Sequence, residues 1–70
     1  MRYAVVIEKV DANYSAYVPD LPGCIATAGT VEEVQVSIRE AIEEHLAGMR
    51  EDGSPIPTPS SQVDYIEVAA

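Results

Sequence analysis

Seventy residues with twelve acidic and four basic side chains carry a formal net charge of −8. That balance argues against nucleic acid as a direct ligand, because phosphate binding depends on Lys and Arg neutralising the backbone, and only Arg2, Lys9, Arg39 and Arg50 are present. The single cysteine, Cys24, excludes an internal disulfide and metal sites built on paired cysteines.

The length allows one domain, residues 1–70. A domain near this size buries only about 60% of the surface its unfolded chain exposes. Self-association is the available source of further stability, so a homo-dimer or homo-tetramer is expected. Met1 to Asp11 has no apolar run suited to a signal peptide. No stretch approaches the roughly 20 apolar residues of a membrane span. A lone thiol suits a reducing compartment, and a cytoplasmic protein is expected.

Arg2 to Val10 reads as a first strand, rich in β-branched residues. Tyr3, Val5 and Ile7 share one face, and Ala4, Val6 and Val10 the other. Apolar content on both faces predicts a central or well-covered strand. Asp11-Ala12-Asn13 is a turn, and Tyr14 to Val18 returns as the second strand of a hairpin. Pro19 to Gly23 breaks the pattern, with Leu21-Pro22-Gly23-Cys24 fitting a type II turn. Cys24 to Ala28 is a third strand of small residues, which would let a helix approach closely.

Thr30 to Gly53 reads as one long amphipathic helix. Thr30-Val31-Glu32-Glu33 is a capping box, in which the Thr30 hydroxyl accepts from the N–H of Glu33 and the Glu33 carboxylate reaches back to the N–H of Thr30. Val31, Val34, Ile38, Ala41, Ile42, Leu46 and Met49 form one stripe at intervals of three and four. Val36 alone is bulky and apolar on the wrong side. Gly53 supplies the stop, and Pro55 forbids continuation. Pro55, Pro57 and Pro59 alternate through an extended connection over Ser54–Ser61. Gln62 to Val68 is expected as a fourth strand. The order is β-β-β-α-β: an α+β fold with an antiparallel-rich sheet and one long helix on one face.

No constellation supports catalysis. Cys24 and His45 are the only thiol and imidazole. Cys24 lies in a small-residue strand and is expected as a buried small hydrophobe. His45 lies on the apolar stripe beside Ile42 and Met49 without zinc-ligand spacing. His45 and Met49 are candidate oligomer-interface residues. Glu40 and Glu44, at i and i+4, are expected on a solvated face. No Gly-rich phosphate loop is present. No metal, cofactor or enzymatic activity is expected. Pro19, Asp20, Leu21, Pro22 and Gly23 form a stiff loop and are the candidate partner-binding residues. In one reading Leu21 projects from this loop; in the other it is tucked into the core.

These residues also resemble a known family. Tyr17-Val18-Pro19-Asp20-Leu21-Pro22-Gly23-Cys24, Ala28-Gly29-Thr30 with Glu32-Glu33, Arg39-Glu40-Ala41-Ile42, and Glu51-Asp52-Gly53-Ser54-Pro55-Ile56-Pro57-Thr58-Pro59 are similar to the HicB antitoxin family. The likeness runs from Tyr3 to Val68, and the combination of the loop with the Asp-Gly-x-Pro-Ile-Pro helix exit makes it specific. The resemblance implies a partial ribonuclease-H-like fold without nuclease activity. It also implies a role: masking the active site of a small, basic, mRNA-cleaving toxin of the HicA type. It is to the short form, without the C-terminal DNA-binding segment of many members. The net acidity suits a basic partner. The competing expectation is a self-assembling structural or regulatory domain with no toxin partner. A third is an acidic, metal-dependent nuclease.

Overall fold

The computed structural model describes residues 1–69. Three antiparallel strands precede one long helix: β1 Val6–Val10, β2 Asn13–Tyr17, β3 Ile25–Ala28 and α1 Val31–Glu51. The sheet order is β1-β2-β3.

The β1–β2 hairpin closes through Asp11 and Ala12, with Val10 opposite Asn13. Asp11 takes a φ of 54°, a left-handed conformation that Asp tolerates better than most residues. Register then sorts the faces. Ile7, Ala16 and Ala26 form one cross-strand row, and Val6, Tyr17 and Ile25 form the neighbouring row on the opposite face. Ala16 is fully buried, whereas Ile25 is 64% exposed. The helix therefore covers only the first face.

Alpha-1 begins as its sequence requires. The Thr30 hydroxyl oxygen accepts from the Glu33 N–H at 3.1 Å. The return leg differs from the expected one: the same hydroxyl donates to Glu33 Oε1 at 3.0 Å, so the carboxylate meets the side chain of Thr30 and not its backbone. At the far end the Ser54 N–H donates to the Met49 carbonyl at 2.9 Å and the Gly53 N–H to the Arg50 carbonyl at 3.2 Å. With Gly53 at a φ of 70°, this is a Schellman stop.

The core consists of Ala16, Val18, Leu21, Cys24, Val34, Ile38 and Leu46. The small side chains of β3 bring α1 down mainly over β3 and β2. Val36 lies outside the core at 60% exposure, as its helical phase dictates.

Two expectations are corrected. Beta-1 is an edge strand, not a central one, and its ladder starts at Val6. Residues 2–5 have no strand neighbour, because opposite them the second strand has already turned at Val18 and Pro19. Residues 62–68 also form no ladder. The expected β-β-β-α order is thus present, while the fourth strand is not paired.

Candidate partner-binding site

The Pro19–Gly23 loop is closed by three backbone hydrogen bonds. The Val18 N–H donates to the Cys24 carbonyl at 3.2 Å, Leu21 N–H to Val18 carbonyl at 3.0 Å, and Cys24 N–H to Leu21 carbonyl at 3.0 Å. Gly23 sits at a φ of 85°, which the type II turn demands at this position. The turn drives Leu21 inward, where it is fully buried. The reading in which Leu21 projects toward a partner is therefore corrected.

Asp20 is committed as well. Its Oδ2 accepts from the Ser60 and Ser61 N–H groups at 2.9 and 3.0 Å, and its Oδ1 from their hydroxyls at 3.1 and 2.8 Å. The Ser61 and Ser60 backbone donors, followed by the hydroxyls, hold this carboxyl down at about 2. All favour the ionised form. The clamp fixes the segment that follows α1 against the loop. Tyr3 adds a second tie, its hydroxyl donating to the Pro57 carbonyl at 2.6 Å, while Ile56 packs on the core. The proline-rich connection is therefore an ordered return path. Of the five loop residues, Pro19, Pro22 and Gly23 remain exposed to a partner. Nothing local in the sequence pairs Asp20 with serines 40 residues away, so its role was not readable there.

Three other surfaces are open. A cleft of about 610 Å³ runs between the start of β1 and α1, with Tyr3, Val5, Ile7, Ile38, Ile42 and Leu46 as its apolar lining and Arg2, Gln35, Arg39 and Glu43 as its polar one. It exists because the helix sits over the other two strands. Next, residues 62–69 expose Tyr65 at 97%, Ile66 at 79% and Val68 at 74%. Last, α1 turns Glu32, Glu33, Glu40, Glu43, Glu44 and Glu51 to solvent, against only Arg39 and Arg50. Val36 lies among Glu32, Glu33, Arg39 and Glu40 as an apolar centre on this mainly acidic face.

Cys24 is buried, and burial pushes its thiol up, away from the reactive thiolate. His45 and Met49 lie one turn apart on the second half of α1, both half-buried. Among the described residues, no cluster of His, Cys, Asp or Glu is arranged to hold a metal ion. Among the described residues, no helix is long and apolar enough to cross a membrane.

Comparison with known proteins assigns these surfaces a context. The family model of the HicB-like antitoxin of bacterial toxin–antitoxin systems matches residues 3–69. A 14.9 kDa protein of Haemophilus phage HP1 is 39% identical over 66 residues, covering 94% of this chain. The chain spans only 50% of that phage relative's length. A UPF0150 protein of Archaeoglobus fulgidus is 45% identical over 47 residues, covering 66% of this chain and 68% of the relative. A UPF0150 protein of Helicobacter pylori is 43% identical over 52 residues, covering 74% of this chain and 72% of the relative. Among solved structures, a chain of a HicA3 and HicB3 toxin–antitoxin complex superposes with a TM-score of 0.74 and 27% identity, over 86% of this chain and 70% of that one.

Proposed function

This chain belongs to the HicB-like antitoxin family, and from that premise we propose that it binds a small, basic toxin of the HicA type and silences it by covering its active site. The observation that carries the reading is the family match over residues 3–69. The likeness to a chain from a toxin–antitoxin complex supports it.

The charge distribution supplies a physical means. Six carboxylates on the solvent face of α1 create a negative field, which speeds encounter with a basic partner and selects against acidic ones. Val36 in their midst is an apolar anchor with a charged rim, the arrangement of many transient interfaces. The exposed corner of the loop, Pro19, Pro22 and Gly23, adds a rigid edge whose ordering costs little on binding.

In this reading the protein is not an enzyme. It acts by occupancy, in the cytoplasm where a toxin would meet mRNA, and makes no direct contact with nucleic acid. Co-purification tests it. The basic protein encoded beside this chain should be retained by it at low salt and progressively lost as salt rises, because the attraction is screened. A neighbour that is never retained would overturn the reading. Charge-reversal of Glu40 and Glu44 to Lys should weaken retention at least tenfold without altering helicity.

A further inference from the structure

Alpha-1 rests mainly on β3 and β2, so its flank toward β1 stays open. Along that flank Ile38, Ile42 and Leu46 form an apolar row at helical spacing, and Gln35, Arg39 and Glu43 form a polar row beside it. Across the gap Tyr3, Val5 and Ile7 make a second apolar wall, with Arg2 at its end. The cleft between the walls holds about 610 Å³, and small-molecule sites span about 300–1,000 Å³. Both walls are fixed. Ile38 and Leu46 belong to the core, and Val5, Ile7 and Ile42 pack against it. The Tyr3 hydroxyl is tied to the Pro57 carbonyl at 2.6 Å. The space is preformed, so filling it costs little ordering of the protein.

Charge selects the occupant. The chain has four basic residues against twelve acidic ones. Two of those four, Arg2 and Arg39, line this cleft, one on each wall, and Glu43 is the single carboxylate of its lining. None of the side-chain hydrogen bonds among the described residues engages either guanidinium. Apolar walls with two guanidiniums at the rim suit an anion that carries a hydrocarbon tail. Glu43 leaves one positive charge in excess, which favours a single negative charge over a phosphate dianion. Guanidinium also matches the planar, two-oxygen geometry of a carboxylate.

We propose that this cleft binds a free, medium-chain aliphatic carboxylate, its tail between the Val5–Ile7 wall and Ile42 and its head group between Arg2 and Arg39. The site is separate from the acidic outer face of α1, so it is testable without any protein partner.

The test titrates the full chain with decanoate, held below its micelle concentration, by isothermal titration calorimetry. Binding should saturate at one decanoate per chain. Decanol and decylamine should bind at least about tenfold more weakly, since neither can accept charge-assisted hydrogen bonds from both guanidiniums. Arg39→Gln and Arg2→Gln should each lose about tenfold in affinity with helicity unchanged. In methyl NMR the signals of Ile7, Ile38 and Ile42 should shift on adding decanoate. Those of Val36 and Ile66, which are 60% and 79% exposed outside the cleft, should not. The proposal is overturned by heat that never saturates, by equal binding of decylamine, by shifts centred on Val36 or Ile66, or by full affinity in both arginine variants. Ile7 and Ile42 signals that move on dilution alone would also overturn it and give the cleft to a second copy. A response to anionic phospholipid vesicles but not to free decanoate would overturn it in favour of a membrane surface.

Discussion

Leu21→Ala separates a loop that displays its leucine from one that buries it. Leu21 is fully buried, and it lies in a core of seven residues. Removing three buried carbon groups costs about 0.8 kcal/mol each. The cavity left behind raises the total to roughly 3–4 kcal/mol, because the surrounding strands and helix collapse only partly. A domain of this length has a total stability of only about 3.5–10 kcal/mol. The melting temperature should therefore fall by roughly 12–30 °C, at about 4–8 °C per kcal/mol. Thermal unfolding followed by circular dichroism at 222 nm measures it. Val36→Ala is the control, since Val36 is 60% exposed on the helix and its loss should change stability by no more than about 0.5 kcal/mol. A Leu21→Ala melting point within about 3 °C of the parent would place this side chain outside the core, and the account of the loop would fail.

Other outcomes follow from single contacts. Gly23→Ala meets no atom within 4 Å but must hold a φ of 85°, so it should lose about 1–2 kcal/mol from backbone strain alone in urea unfolding; an unchanged midpoint would deny the type II turn. Thr30→Ala removes the helix cap and should cost about 1 kcal/mol, whereas Thr30→Ser should recover most of it. Asp20 is held at about 2, below its ordinary 3.8. The folded state thus favours the ionised form, and the clamp's contribution is complete above pH 3.8 and is lost as pH falls through about 2. The amide shifts of Ser60 and Ser61 in NMR should titrate near pH 2 in the native chain and be flat across that range in Asp20→Asn; a midpoint at 3.8 would show that the clamp is not formed.

What the sequence revealed is what is encoded locally. Thr30, Glu33 and Gly53 mark the helix ends within a few residues of the groups they satisfy. The stripe from Val31 to Met49 marks its buried side by period alone. The Asp11–Asn13 and Leu21–Gly23 turns are likewise short-range, and each carries a positive φ where the chain bends. What stayed hidden is long-range. The clamp joins Asp20 to Ser60 and Ser61 across the whole helix. The turn through Pro22 and Gly23 aims Leu21, but whether that direction meets solvent or a core depends on where α1 comes to rest. The apolar character of residues 2–10 and 62–68 is real, but composition alone cannot state which edge each strand joins. That is why residues 2–10 read as a central or well-covered strand, whereas β1 lies at the edge of the sheet. The exposed loop residues Pro19, Pro22 and Gly23 were legible as stiff. The acidic face around Val36 was legible as solvated, and its candidacy as a docking surface emerges only with the family and the fold together.

The central claim is inhibition, and a cleavage titration tests it most directly. A HicA-type protein encoded beside this chain should cut RNA when alone. Adding this chain should stop cleavage at a fixed molar ratio, while this chain alone leaves RNA intact with magnesium or manganese present. Cleavage that continues undiminished at excess of this chain, with both proteins folded, would contradict the antitoxin account.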